Sequence, residues 1–303
     1  MWRNRFPWLE KNVSSDDAAV EAPETPAELF HGYGRRARKQ LGQHFLVDAQ
    51  ILHEIATLAD IRPGEWVLEI GPGCGTLTLV LLQRGAKVEA IELDTNATSY
   101  LQERLEPHYP LEVREASALD IDLDEVLGKT EVPWKVVANL PYNIATKILF
   151  RLLEHHGGIE EMTLMFQKEV AHRIVAEVGD SDFGRLSLMV AMYADVHLAM
   201  TLPPDAFVPA PKVDSAVVQF HLHSQPRIED EQVRKVFGRI VKAAFQSRRK
   251  TLANGLKSLG IDKGVVEEIL EALELRPKIR PQRVSFENFA VLADVLIQKG
   301  EVR

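Results

Sequence analysis

The sequence predicts an α/β domain built on a mostly parallel sheet, followed by a small domain made of helices only. Between residues 66 and 166, short apolar runs alternate with segments of helical length, which is typical of parallel βαβ units. After Pro226, the apolar residues follow helical spacing alone. A chain of 303 residues is long enough for two such domains.

The first 34 residues are expected to form an acidic, disordered extension. From Glu10 to Glu28 there are six acidic residues and one basic residue, Lys11, with little apolar periodicity. Such a composition buries too little apolar surface to order the chain. The sheet domain is expected to span residues 35–225 and to open with a helix that Asp48 caps.

Seven strands are expected in that domain. The last two lie close together in sequence, joined by a proline-rich loop, and are therefore expected to run antiparallel to each other, so that one reversed strand completes a mostly parallel sheet. The expected strands are 66–70, 88–91, 111–113, 135–138, 162–166, 196–200 and 215–220.

The helical domain is expected to span residues 226–303. From Val233 to Phe245 the apolar residues recur at the spacing of one helix face, and the opposite side is basic. Further helices are expected around 265–273 and 286–297, the latter capped by Ser285.

Composition and charge exclude several classes of protein. The single cysteine, Cys74, rules out a disulfide framework and a multi-cysteine zinc site. No apolar run approaches the ~18 residues of a membrane span, and the opening residues lack the apolar stretch of a signal peptide, so a cytoplasmic location is expected. The net charge of −8 argues against indiscriminate coating of nucleic acids, although basic residues cluster locally.

A glycine-rich turn follows the first strand of the alternating region. Gly71, Gly73 and Gly75 would allow close approach to a ligand at the carboxyl edge of the sheet, and Glu92, 21 positions after Gly71, suits ribose hydroxyls. The pattern predicts an adenosine-containing cofactor. Thr76 stands where the dinucleotide fingerprint needs glycine, so the pattern favours S-adenosyl-L-methionine over the alternative, a nicotinamide oxidoreductase.

A second motif, Asn139-Leu140-Pro141-Tyr142, follows the fourth strand at the same edge. The exocyclic amine of adenine is a poor nucleophile because its lone pair is delocalised into the ring. The Asn139 side-chain oxygen and the Leu140 carbonyl, held rigid by Pro141, would accept hydrogen bonds from that amine. Tyr142 would stack on the base. The motif therefore predicts methyl transfer to an adenine amine.

These and further motifs, in this order, resemble the ribosomal RNA adenine dimethyltransferases, and most closely their bacterial KsgA-type branch. The resemblance runs from about Gly42 to the C-terminus. It rests on 43–46, 69–75, 91–94, 139–142, 167–170, 207–215 and 245–251.

The resemblance implies a fold and an activity. The fold would be a Rossmann-like class I methyltransferase with a seven-stranded sheet and an antiparallel last strand. The activity would be dimethylation of two adjacent adenosines in a 3′-terminal hairpin loop of 16S rRNA, within an immature small subunit, by a monomer that uses no metal. Two alternatives stay open: a large-subunit enzyme of the macrolide-resistance type, and a catalytically idle RNA-binding assembly factor.

The resemblance also assigns roles to residues. His44 and Leu46 would line the cofactor site, Gly71 and Gly73 would contact the methionine moiety, Glu92 the ribose, and Asn139 both the cofactor and the target amine. Phe207 would stack on the target adenine opposite Tyr142. The family usually has an aspartate at the adenine-contacting position where this chain has Ser117, which is neutral but would still donate or accept a hydrogen bond with the cofactor. Asp120 is the alternative if the loop shifts.

RNA contacts are expected from a stretch without acidic residues, 232–261. Arg248, Arg249 and Lys250, together with Arg239 and Lys242 on the first helix of the last domain, would hold phosphates and make binding salt-sensitive. The alternative for 248–250 is a helix cap or ion-pair cluster inside the domain.

Overall fold

A computed structural model describes residues 23, 25–35, 37–38, 41–247 and 249–302. Most of the acidic extension and Arg248 lie outside these residues. Within them, no helix is long and apolar enough to cross a membrane. The helices are α1 Pro26–Tyr33, α2 Ala49–Leu58, α3 Thr76–Gln83, α4 Thr95–Arg104, α5 Leu123–Leu127, α6 Ala145–Glu154, α7 Lys168–Val175, α8 Arg185–Ala191, α9 Glu231–Ala244, α10 Leu252–Leu256, α11 Lys263–Ala272 and α12 Phe286–Gln298.

The strands confirm the predicted mostly parallel sheet. They are β1 Phe45–Leu46, β2 Trp66–Ile70, β3 Lys87–Glu92, β4 Leu111–Glu115, β5 Trp134–Asn139, β6 Ile159–Gln167, β7 Ala194–Leu202, β8 Phe207–Val208 and β9 Ser215–Leu222. Seven of them form one sheet in the order β4-β3-β2-β5-β6-β9-β7. Only β9 runs against its neighbours, and it lies between β6 and β7 rather than at an edge.

Helices cover both faces of this sheet, which explains why its central strands are almost entirely apolar. One cluster of buried side chains includes Trp134 and Phe166 and packs under α5 and α6. The cluster on the other face includes Leu52 and Leu79 from α2 and α3. As predicted, Asp48 caps α2: its carboxylate accepts a hydrogen bond from the Ile51 amide at 3.1 Å.

The last four helices surround their own core, with Phe237 and Phe289 fully buried. Ser285 caps α12 as predicted, accepting from the Asn288 amide at 3.2 Å. The same core also takes in Phe183, Leu188 and other side chains of the α8 region. The change of sequence character near residue 226 therefore does not coincide with a boundary of the core, because α8 packs against α9.

The expectation of disorder up to residue 34 is wrong for its last part. Residues Pro26–Tyr33 form α1, which Thr25 and Glu28 begin with a reciprocal capping box. Leu29 is fully buried, and its carbonyl accepts a hydrogen bond from the Tyr100 hydroxyl at 2.7 Å. The helix was not predicted because the segment is acidic on average, although Leu29 and Tyr33 have the spacing of one helix face.

A two-stranded ladder that the sequence did not predict joins distant parts of the chain. In it, β1 pairs antiparallel with β8, so that Phe45 lies opposite Val208 and Leu46 opposite Phe207. The strands are only two residues long, too short for any periodicity. The ladder connects the segment before α2 to the segment between β7 and β9.

Candidate functional site

A cavity of about 300 Å³ opens at the carboxyl edge of the sheet, where β2, β3, β4 and β5 end. Such an edge is where open α/β sheets bind their ligands. Four loops that follow these strands line the cavity, together with 41–46. Ten residues expected at the site line it: His44, Leu46, Gly71, Gly73, Glu92, Ser117, Asn139, Leu140, Pro141 and Tyr142.

The turn after β2 requires its glycines. Gly71, Gly73 and Gly75 have φ values of +69°, +59° and +84°, in the left-handed region that other residues rarely adopt. A Cβ atom at Gly73 would lie 2.8 Å from the Phe45 ring, and one at Gly75 would collide with the Leu101 side chain. The turn therefore exposes backbone atoms without side chains to the cavity, and it packs closely against Phe45 and Leu101.

Glu92 ties this turn to the loop after β3. Its carboxylate oxygens accept hydrogen bonds from the backbone N–H groups of Gly73 at 2.9 Å and Asp94 at 2.8 Å. Burial raises the pKa of Glu92, and these backbone donors oppose the rise. Each carboxylate oxygen keeps a second lone pair, so Glu92 can still accept hydrogen bonds from hydroxyl groups in the cavity.

Glu69, the last acidic residue before the turn, is a site residue that the sequence analysis did not assign. It lines the cavity and is 2% exposed. Burial raises its pKa to about 8, and the nearby Thr78 hydroxyl opposes the rise. Its Oε2 atom has no hydrogen-bond partner. A buried acid with an unpaired oxygen beside a glycine cradle fits a polar ligand group, such as one at the methionine end of the expected cofactor. The E-x-G-x-G-x-G pattern, which begins at Glu69, is the sequence signal from which this residue could have been predicted.

Asn139 is held in one orientation at the end of β5. Its amide nitrogen donates to the His44 carbonyl at 3.0 Å, so the side-chain oxygen is left as the free acceptor. Pro141, two residues later, lies against the glycine turn, 3.7 Å from the position of a Cβ atom on Gly71. The acceptor is therefore fixed beside the cradle, as the motif predicts.

Tyr142 is fixed from two sides. Its hydroxyl lies 2.5 Å from the Ser215 hydroxyl, and its ring stacks on His44 with centroids 5.7 Å apart and planes 21° apart. Burial raises the pKa of Tyr142, so it stays a neutral phenol. The His44 Nδ1 atom donates to the Pro209 carbonyl at 2.7 Å. Ser215 and Pro209 thus connect the loop before β9 to the site.

Phe207 does not lie where the resemblance places it. Its side chain is 2% exposed, packs in the core under the sheet and does not line the cavity. The β1–β8 ladder explains this position, because it pairs Phe207 with the buried Leu46. In this structure the ring that stacks on Tyr142 is His44 instead.

Ser117 caps its own turn after β4. Its hydroxyl accepts a hydrogen bond from the Leu119 amide at 3.2 Å. Asp120 is exposed and does not line the cavity, so it does not replace the missing aspartate. At this position the cavity is therefore lined by a neutral hydroxyl and not by a carboxylate.

The expected RNA-binding residues lie on the surface of the helical domain. Arg239, Lys242, Arg249 and Lys250 are exposed, and Arg248 lies outside the described residues. Other cations of α9 are used within the protein: Lys235 pairs with Glu231 at 2.5 Å, and Arg234 donates to the backbone. In the part of the chain that the structure describes, no group of three or more potential ligands could hold a metal ion.

Comparison with known proteins agrees with this geometry. Residues 34–278 match the model of the family described as "Ribosomal RNA adenine dimethylase". The curated relatives include two proteins named "Ribosomal RNA small subunit methyltransferase A". The one from Geobacter metallireducens is 41% identical over 89% of this chain and 99% of its own length. The one from Clostridium botulinum is 40% identical over 89% of this chain and 97% of its own length.

Solved structures confirm the Rossmann-like methyltransferase fold. A dimethyladenosine transferase from Plasmodium falciparum superposes with a TM-score of 0.71 at 29% identity, covering 85% of this chain and 98% of that one. The 23S rRNA methyltransferase ErmE superposes with a TM-score of 0.64 at 26% identity, covering 82% and 99%.

Proposed function

Because the chain belongs to the ribosomal RNA adenine dimethylase family, we propose that it methylates N6 of two adjacent adenosines in a 3′-terminal hairpin loop of 16S rRNA. The methyl donor is S-adenosyl-L-methionine. One observation carries the proposal: the free oxygen of Asn139 lies in the same cavity as the glycine cradle. An acceptor for an amine is thereby placed beside the cofactor.

The cofactor, when bound, supplies an activated methyl group, so the residues of the chain need only position the attacking amine. Gly71 and Gly73 provide the backbone cradle, Glu92 accepts from the ribose, and the unsatisfied Oε2 atom of Glu69 faces a polar group. His44 and Leu46 close the same site.

The target amine would be held by Asn139 and Leu140. The Asn139 side-chain oxygen and the Leu140 carbonyl would accept the two N6 hydrogens, which favours a pyramidal nitrogen with its lone pair directed at the methyl group. Tyr142, held by Ser215, would stack on the base, a contact worth ~1–3 kcal/mol. The methylated amine cation is acidic and loses its proton to water, so no strong base is needed.

The base must leave its stack to enter the cavity, at a cost of a few kcal/mol that is smaller for a loop nucleotide. Unpaired loops are also where proteins read RNA sequence. Lys242, Arg249 and Lys250 would hold backbone phosphates at some distance from the cavity, with Arg239 and Arg248 completing the set.

The choice of the small subunit rests on the curated relatives, which are 40–41% identical over nearly the whole chain. The large-subunit enzyme is similar in fold but only 26% identical. A ribosomal substrate supports a cytoplasmic location. We propose that the protein acts as a monomer and, because the methyl donor is already activated, without a metal.

Transfer of labelled methyl groups tests the proposal. Small subunits from cells that lack this gene are mixed with the protein and labelled S-adenosyl-L-methionine, and the methylated adenines are mapped by mass spectrometry. We expect two adjacent dimethylated adenosines near the 3′ end of 16S rRNA. Methylation of the large subunit alone, or binding without transfer, would contradict the proposal and favour one of the two alternatives.

Asn139→Ala should separate binding from transfer. Loss of one fixed hydrogen-bonding group at a reacting centre typically lowers kcat by about 100-fold or more. We expect that loss in single-turnover transfer, with binding to small subunits unchanged. Asn96→Ala, on a helix after β3, is the matched control and should retain full activity. A rate for Asn139→Ala within threefold of the wild-type rate would remove Asn139 from the mechanism.

A further inference from the structure

A second cavity, of about 380 Å³, lies between the sheet domain and the helical domain, where α7, α8 and α9 meet. We call it the α8–α9 pocket. Its lining includes Arg173, Asp182, Arg185, Lys242, Phe245 and Gln246. Its volume falls in the range of ~300–1,000 Å³ that small-ligand sites occupy. Of its lining, the proposed function uses only Lys242, as one of several contacts to backbone phosphates.

The rim of this pocket is basic. Arg173, Arg185 and Lys242 are exposed, and none of them forms an ion pair with any residue that the structure describes. Against these three cations stands one carboxylate, Asp182, which leaves an excess of two positive charges. Unpaired cations gathered around a concave surface favour an anion such as a phosphate.

The floor of the pocket is aromatic. Phe245 is half-buried, and its ring is held by edge-to-face contact with Phe183 at 6.3 Å and by Phe289 at 6.2 Å. Leu186 lines the pocket beside it. A rigid ring under a cationic rim is the combination on which a nucleobase stacks while its phosphate is neutralised. Gln246 and Asp182 add polar groups that the edge of a base can use.

The pocket is connected to the catalytic cavity by α7. That helix begins at Lys168, whose ammonium group pairs with Asp214 at 3.0 Å, next to the serine that holds Tyr142. Arg173 follows five residues later, which is about 7.5 Å along a helix. Its carbonyl accepts a hydrogen bond from Ser187 at 2.7 Å, so the end of α7 is fastened to α8.

We propose that the α8–α9 pocket binds an unpaired nucleotide of the substrate RNA other than the target adenine, with its base on Phe245 and its phosphate among Arg173, Arg185 and Lys242. The inference rests on the proposed function, because it takes the RNA to be the substrate. A second anchored nucleotide would orient the loop so that the target adenine reaches Asn139.

Two substitutions separate the base contact from the phosphate contact, with dissociation constants measured on unmethylated small subunits over a series of salt concentrations. We expect Phe245→Leu to raise Kd by about 5-fold or more without changing the salt dependence, because one stacking contact is lost. We expect Arg185→Gln to reduce the slope of log K against log salt by about one. Arg62→Gln, at an exposed arginine that pairs with Asp60 before β2 and does not line the pocket, should match the wild-type protein.

Wild-type affinity and salt slope in both variants would overturn the inference. Because Phe245 also contacts the helical core, a second measurement does not depend on changing it. Photoreactive benzoylphenylalanine at position 246 should cross-link to one rRNA position that is not a methylated adenine. Cross-links only to ribosomal protein, or none, would also overturn it.

The same preparations distinguish the two failures. If the wild-type protein transfers methyl groups to the small subunit while the pocket variants behave normally, only the pocket assignment fails. If the wild-type protein transfers none, the proposed function itself fails.

Discussion

Glu69 has the most strongly perturbed acid–base chemistry at the cavity. It is a buried acid with one oxygen unpaired, and burial raises its pKa to about 8. At neutral pH the folded protein therefore holds it mainly in the protonated form. In the unfolded chain the same carboxyl ionises near its ordinary pKa of about 4.5.

This difference makes stability depend on pH. Between pH 4.5 and 8 the folded state binds a proton that the unfolded state has released, so the free energy of unfolding falls as pH rises, by at most about 1.4 kcal/mol per pH unit. Glu69→Gln, which is neutral throughout, should lack this component. We expect urea denaturation to show that the free energy of unfolding of the variant, relative to that of the wild-type protein, rises by a few kcal/mol between pH 5.5 and pH 7.5. A constant difference would contradict the assigned pKa.

At the scale of elements, the turn between β2 and α3 combines two constraints that can be separated. Gly73 has φ +59° and its Cβ position is 2.8 Å from Phe45. Gly260, between α10 and α11, has φ +80° with nothing within 4 Å of its Cβ position. Substituting either glycine would therefore strain the backbone, but only a substitution at Gly73 would also cause a clash beside the cavity.

We expect Gly260→Ala to lower the free energy of unfolding by only ~1–2 kcal/mol, the cost of a left-handed backbone, and to leave cofactor binding unchanged. Gly73→Ala should be more destabilising than that. It should also weaken binding of S-adenosyl-L-methionine by at least tenfold in calorimetry, because Phe45 must move within the cavity wall. Equal effects of the two substitutions would show that the close packing has no consequence.

A hydrogen bond between the Tyr142 and Ser215 hydroxyls joins the loop after β5 to the start of β9. Ser215 is fully buried. Ser215→Ala leaves the buried tyrosine hydroxyl without a partner, so we expect a loss of about 1–3 kcal/mol and a higher KM for RNA. Tyr142→Phe removes the other partner. In a double-mutant cycle, the variant that carries both substitutions should have a free energy of unfolding closer to the wild-type value than Ser215→Ala alone. Additive losses would mean that the two hydroxyls are not coupled.

At the scale of the whole molecule, charge is separated: the chain has a net charge of −8, yet residues 232–261 contain no acid. We expect Arg249→Gln and Lys250→Gln each to lower the salt slope of binding to small subunits by about one while leaving the KM for S-adenosyl-L-methionine unchanged. The control is Lys299→Gln, a lysine at the C-terminal end of α12 that pairs with Glu268 of α11. An unchanged slope in all three variants would place the RNA elsewhere on the surface.

Much of this molecule could be predicted from local patterns. The seven strands, the reversed β9, the caps Asp48 and Ser285 and the line of residues around the cavity follow from periodicity, capping chemistry and glycine spacing. Helix α1 was missed because its apolar pair sits in an acidic segment. The β1–β8 ladder was missed because two-residue strands have no period to detect.

The amino-acid sequence by itself determined the alternation of strands and helices, the glycine cradle, the acceptor motif at the end of β5 and the basic stretch of the last domain, since each is encoded by neighbouring residues. Only the tertiary structure decided that Phe207 is buried while His44 stacks on Tyr142, that Glu69 has an unpaired oxygen and that three cations meet at Phe245. These features arise between residues far apart along the chain, and local spacing carries no information about such distances.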